Sequence, residues 1–152
     1  MMKSKQALKD AWLSYDMMVA AKESDVLRVH WISTICLLRA IGHVLDKVDA
    51  EISPIHKYEI TKWWGIIKRD KPAIFWEFIN ESRNLVVKEY DVNFITYECE
   101  LISMGLDGST EVAENPVHIM KSGEELFSIV ADALLWWEVQ IKELENSIRQ
   151  RT

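Results

Sequence analysis

Between Val26 and Leu45 the chain places Val26, Val29, Ile32, Ile35, Leu38, Ile41 and Leu45 at steps of three and four, with Leu37 and Cys36 filling gaps between them. At about 100° per residue these positions wrap most of the way round a helix instead of forming one narrow stripe. A helix apolar on most sides lies at the centre of a bundle, or buries a second face against a partner chain. Ser24 or Asp25 supplies its N-cap, and the pattern carries it to about Val48. Layers of helix packed round this one are therefore the expected architecture.

The flanking sequence supplies those layers. Residues 5–22 carry Leu8, Trp12, Tyr15 and Val19 at helical spacing, which predicts an amphipathic first helix. Pro54 starts a third helix that carries Trp63 and Trp64 and stops before Pro72. A fourth runs from Ile74 to Tyr90. After Ser122-Gly123-Glu124-Glu125, a capping-box signal, the last helix carries Leu126, Val130, Leu134, Trp137, Ile141, Leu144 and Ile148 as a packing seam. Asp91 to His118 breaks the helical pattern. Phe94, Thr96 and Glu98 alternate with Ile95, Tyr97 and Cys99, and Asp107-Gly108 suits a hairpin turn, so a small β-hairpin or an ordered loop is expected at about 93–112. The class is an all-α, up-and-down bundle of four to five helices in a single domain over 1–152.

Composition narrows the function. With 152 residues of which 49% are hydrophobic, the chain can bury one sizeable core. A net charge of −6 disfavours nonspecific DNA binding through the overall field. The tight basic cluster Lys68, Arg69 and Lys71 reads as a solvated helix end ahead of Pro72. Cys36 and Cys99 make neither a disulfide framework nor a metal spacing, which implies a reducing compartment, and no metal or cofactor is expected. Met1 to Gln6 lacks an apolar signal core and no stretch is long enough to span a bilayer, so a cytoplasmic location and no membrane partner are expected. The adjacent pairs Trp63-Trp64 and Trp136-Trp137 point about 100° apart on a helix, which a wide buried face in a thick bundle accommodates; a ligand cage or partner interface for one member of each is the lesser alternative.

Arg83 is the residue that most resists a purely structural account. Glu77, Glu81, Asn84 and Lys88 form a polar stripe on the fourth helix, but Arg83 projects among Trp76, Ile79, Val86, Val87 and Tyr90. A guanidinium cannot shed its charge, so it needs an acid, a carbonyl or an aromatic face there. Stacking on Trp76 or Tyr90 with pairing to Glu89, or to a carboxylate from a facing helix, is one solution. The run from Arg83 to Tyr90, Arg-Asn-Leu-Val-Val-Lys-Glu-Tyr, also resembles the signature of the HEPN superfamily of small helical proteins: an arginine, often followed by asparagine, then histidine after four to six residues. The toxin branch of that superfamily extends it to R-x4-H-x-Y. Arg83, Asn84 and Tyr90 fall on matching positions, and Lys88 stands where the histidine belongs. The resemblance implies a homodimer whose cleft holds a phosphate through the arginine, with RNA, a nucleotide or a cognate protein as partner, in the setting of toxin–antitoxin or defence systems. Lysine can contact phosphate as a point charge but holds its proton at neutral pH and serves poorly as a base.

A second cluster, Arg39, His43 and Asp46, lies on one face of the second helix. Its arginine and histidine are one residue too close for the family signature. The leading expectation is a noncatalytic, dimeric module with a phosphate- or nucleotide-binding groove built from Arg83, Asn84, Lys88 and Tyr90, with Arg39, His43 and Asp46 as secondary candidates. An active endoribonuclease using these residues with a substitute base, and a purely structural homodimer, are the alternatives.

Overall fold

Every helix expected from the apolar spacing is present in the computed structural model, which describes residues 2–152. The helices are α1 (Lys3–Ala20), α2 (Ser24–Lys47), α3 (Pro54–Asp70), α4 (Asn80–Glu89) and α5 (Leu126–Arg151). A short 3-10 turn at Asp49–Glu51 follows α2, and a π-helical turn at Ile74–Ile79 runs directly into α4. Residues 2–92 and 130–152 make one unit, and Asn93–Ile129 makes a second.

In the helical unit the core is built on α2 and α5. Trp31, Ile35, Leu38, Ile41 and Leu45 are fully buried from α2, as are Val130, Leu134 and Trp137 from α5, with Ile141, Leu144 and Ile148 continuing the seam. A buried indole N–H must find an acceptor. That of Trp137 donates to the carbonyl of Leu38 at 2.9 Å, fastening α5 to α2. The expected faces of the first two helices shift slightly. On α1 it is Leu8, Ala11, Ser14 and Met18 that are buried, and Val19 is exposed. Small side chains let α1 approach α2 closely: Ser14 Oγ lies 2.8 Å from Thr34 Oγ1, which itself donates to the His30 carbonyl at 2.7 Å. Trp12 is pushed to the margin, where its Nε1 donates to Glu138 at 2.7 Å. On α2 the exposed residues include Val26 and Val29, because Leu27, Trp31 and Thr34 take the inner face.

Helix ends are closed by different means. Neither Ser24 nor Asp25 caps α2: Glu23 occupies that position without a side-chain bond, and Asp25 pairs with Arg28 at 2.9 Å. Ser53 does cap α3, accepting from the His56 amide at 3.3 Å with Pro54 in the first turn, and Lys71 ends that helix in a left-handed conformation. The N-terminus of α1 has no cap of its own. Asp49, fully buried, reaches it from the 3-10 turn and accepts from the amides of Lys3 at 2.7 Å and Ser4 at 3.0 Å.

The second unit corrects the all-α expectation. Its strands are β1 (Phe94–Tyr97), β2 (Glu100–Met104), β3 (Thr110–Glu114) and β4 (Val117–Met120). β1 pairs with β4 and β2 with β3, both antiparallel, so the four form one long interrupted hairpin. Asp107-Gly108 sits in the tip as expected, Gly108 at φ 82° and Asp107 accepting from the amide of Ser109 at 3.0 Å. The hairpin extends beyond 112 because Val117 to Met120 continues the pairing after Pro116, which lacks an N–H and interrupts the ladder. The base of the hairpin packs internally: His118 lies against Phe127, ring centroids 5.4 Å apart, and its Nδ1 is 2.8 Å from Thr96 Oγ1. The cap of α5 also differs from expectation, since Glu125, not Ser122, accepts from the amides of Phe127 at 3.1 Å and Ser128 at 2.7 Å.

Asp49→Ala is expected to destabilise the protein by about 2 to 3 kcal/mol, since two amide donors lose a charged acceptor in a buried site. Urea denaturation measures this. A loss below about 0.5 kcal/mol would mean that the α1 terminus frays without consequence.

Candidate functional site

A cavity of about 630 Å³ lies in the helical unit between α2, α3 and the π turn. Its walls come from three local features. From α2, one helical face projects Arg39, Gly42, His43 and Asp46. Gly42 is required by close approach: a Cβ there would stand 3.2 Å from the indole of Trp64 and 3.4 Å from that of Trp137. Its absence lets Trp64 of α3 lie against α2 as one wall. The π turn supplies the other wall. The amide of Asn80 donates to the carbonyl of Phe75, five residues back, and this wider spacing brings Phe75, Trp76 and Asn80 to the cavity.

The electrostatics of this cavity are one-sided. Arg39 stacks on the Phe75 ring, 5.5 Å from its centroid, but its Nη1 is buried without a hydrogen-bond acceptor. Trp64 Nε1 is likewise a buried donor without a partner among the described residues. Desolvation, reinforced by the charge of Arg83, pulls the Arg39 pKa below the usual guanidinium range. Arg83 is half-buried on α4, and its Nη1 donates to Asn84 Oδ1 at 2.9 Å, a neutral acceptor. Among the described residues neither arginine has a carboxylate partner. Partial burial, then Arg39, then Arg83 push the His43 pKa below that of a free imidazole, and the nearby Asp46 opposes them only in part. Asp46 is engaged with Lys47 at 2.7 Å. The Cys36 thiol is raised by burial, with the Arg83 charge opposing.

The two residue groups singled out in the sequence thus converge only in part. Arg39, His43 and Asp46 line the cavity together, and Arg83 with Asn84 stands close enough for its charge to act on Arg39 and His43. None of Arg83, Asn84, Lys88 and Tyr90 is among the lining residues; Arg83 and Asn84 are half-buried on α4, while Lys88 and Tyr90 are exposed at its end, Tyr90 in a left-handed conformation and 73% accessible. Arg83 does not take the stacked and acid-paired arrangement with Tyr90 and Glu89. Sequence reasoning missed Phe75, Trp76, Asn80, Thr61 and Lys68 as lining residues. The adjacency of Trp63 and Trp64 was the usable signal: Trp63 is buried, its Nε1 donating to Gln140 at 2.8 Å, and Trp64 faces the cavity. No group of His, Cys, Asp or Glu among the described residues has a metal-binding arrangement, and no helix among them is long and apolar enough to cross a membrane. Comparison with protein families, with curated proteins and with solved structures gives no match.

The unpaired state of both arginines has a direct consequence for stability. Arg39→Met and Arg83→Met keep the apolar stem and strand no carboxylate, so thermal melts without ligand are expected to show unchanged or raised stability. A loss of about 3 to 5 kcal/mol in either variant would instead reveal a buried acid that depends on it.

Proposed function

We propose that the protein is a HEPN-like, noncatalytic binding module whose cavity takes a phosphate-bearing ligand with a planar ring, a nucleotide or the end of an RNA strand. The observation that carries this reading is the buried Arg39 Nη1 without an acceptor, close to the charge of a second guanidinium that has no acid partner either. A partly desolvated cation without counter-charge is unfavourable, and a phosphate oxygen supplies both the charge and the acceptor that Arg39 Nη1 lacks. Trp64 and Trp76, both half-buried, offer aromatic surface on the same cavity, which suits stacking of a nucleobase. Lys68 at the rim adds a cation that a phosphate would meet on entry.

Titration with a dinucleoside phosphodiester, followed by tryptophan fluorescence, tests the reading. Saturable quenching is expected, and Arg39→Met and Arg83→Met are each expected to weaken binding by about tenfold or more, the equivalent of one charge-assisted hydrogen bond. An unphosphorylated nucleoside that binds equally well would show that the cations are irrelevant. The pH profile follows from His43, whose pKa is held down by burial and by Arg39 and Arg83. A bound anion offsets those cations and raises that pKa, so the complex holds its imidazole proton to higher pH than the free protein. Affinity should therefore grow as pH falls through the range in which a free imidazole titrates and below it, and His43→Asn should flatten the profile.

A second reading is favoured by the same imidazole. With its pKa lowered, His43 is mostly neutral at physiological pH beside two guanidiniums, the protonation state a general base needs. It would replace the histidine that Lys88 displaces from the family signature. Incubation with single-stranded RNA separates the readings: the noncatalytic module leaves RNA intact, whereas cleavage abolished by His43→Asn and by Arg83→Met would establish an endoribonuclease.

The homodimer implied by the resemblance is proposed with the module. Leu13 and Met17 on α1, and Val26 and Val29 on α2, are exposed at 42–60% and would be covered by a partner copy. Sedimentation equilibrium at micromolar concentration should give a dimer mass; a monomer mass would remove this part of the proposal.

A further inference from the structure

The outer half of the hairpin buries nothing. All residues of β2 and β3 are exposed, among them Ile102 at 67%, Met104 at 77% and Val112 at 61%, and the two strands form a ladder with no third strand. A two-stranded ribbon of this kind is marginally stable in water by itself and offers free backbone donors and acceptors along both edges. Its side chains are sorted by register. Directly opposed residues share a face, so Glu100 with Glu114, Ile102 with Val112, and Met104 with Thr110 line one side of the ribbon. Opposed like charges at Glu100 and Glu114 destabilise the free hairpin, and no basic residue occurs between Glu98 and Glu114 to relieve them.

Charge decides what could cover this surface. Asn93–Ile129 holds seven acids, Glu98, Glu100, Asp107, Glu111, Glu114, Glu124 and Glu125, against the single base Lys121, so the whole net charge of −6 lies in this unit and the remainder of the chain is neutral. A second hairpin of the same kind would be repelled. Nucleic acid and anionic lipid would be repelled as well.

We infer that the face Glu100, Ile102, Met104, Val112 and Glu114 is a docking surface for a partner protein, which presents an extended segment with one lysine or arginine followed by apolar residues at alternate positions. The segment adds to the β2 edge as a further strand, parallel to β2, with its cation beside Glu100 on the same face, from where a long side chain reaches toward Glu114, and its apolar side chains beside Ile102 and Met104. Binding then removes three liabilities together: the repulsion of the glutamates, the exposed apolar stripe and an open edge.

The test uses the full chain and a blocked synthetic peptide carrying a lysine followed by valines at alternate positions, with threonines between. Saturable shifts of the backbone amide resonances of residues 100–114 are expected. Replacing the peptide lysine by glutamate, or its valines by serine, should each weaken binding by about tenfold or more, as should Glu100→Gln with Glu114→Gln in the protein. That double variant lowers the charge repulsion within the hairpin, so it keeps its strands and any loss of binding reports on the partner's cation. Absence of shifts in residues 100–114 overturns the proposal. Equal binding of the serine peptide also overturns it, by reducing the effect to charge attraction alone, and so do concentration-dependent shifts of these residues without peptide, which would show that a second copy occupies the face.

Discussion

A guanidinium is the one ionisable side chain that cannot escape burial by losing its charge, and the arrangement around Arg39 is organised by that fact. Each nearby feature serves to tolerate the cation without neutralising it. Phe75 gives it an aromatic face, and the π turn is what brings Phe75 there with Trp76 and Asn80 beside it. Gly42, one turn along α2, makes room for Trp64 and keeps the wall aromatic. What the surroundings do not provide is a carboxylate. The nearest cavity-lining acid, Asp46, is engaged with Lys47, and Arg83 adds a second positive charge in place of a negative one. Arg39 and Arg83 are each only half-buried, so water still meets part of each charge, but the buried Nη1 of Arg39 lacks the acceptor that a paired arginine would have. Retention of two such cations near each other is the physical ground for the proposed anion site.

How much of this was legible beforehand depends on the period of each segment. In α5 the apolar positions Val130, Leu134, Trp137, Ile141, Leu144 and Ile148 were read from spacing and are the ones buried, because an uninterrupted α-helix keeps one phase throughout. On α1 the same rule selected the largest apolar residues and missed that Ala11 and Ser14, being small, form the inner face against Thr34. Size decided the packing there and hydrophobicity did not. Between Ile74 and Ile79 a constant 100° step could not give the correct phase, since the π turn inserts an extra residue into one turn, and Trp76, assigned as a neighbour of Arg83, is displaced accordingly. Ile79 and Val86 are buried as expected, whereas Val87 and Tyr90, at the solvent-facing end of α4 where Tyr90 turns left-handed, are exposed. The hairpin was legible from alternation and Asp107-Gly108, but not its full length, because Pro116 reads as an end and is only an interruption.

The candidate residues were legible as two groups and not as one neighbourhood. Arg39 and His43 share a face of α2 by spacing alone, whereas the approach of Arg83 to them is tertiary, set by the packing of α4 on α2. No sequence period links positions on different helices. Lys88, five residues beyond Arg83, is the converse case: it holds the histidine's place in the HEPN-like spacing, yet on α4 it points away from the face that carries Arg83.

The overall charge was the least informative of the sequence features, for a reason that concerns distance. A net charge of −6 argued against anionic partners, but all of it belongs to Asn93–Ile129, and the helical unit is neutral. At physiological ionic strength charges are screened over about 8 Å, so a ligand at the cavity responds to the lining groups Arg39, His43, Asp46, Lys47 and Lys68, and to Arg83 nearby, more than to the distant acids. The acidic hairpin is governed by the same length. Its glutamates are exposed and act only on what comes within a few ångströms of β2 and β3, which is the range over which the proposed cationic segment would be recognised. One chain can in this way carry a site suited to anions and a surface suited to cations, because each is read only at contact range.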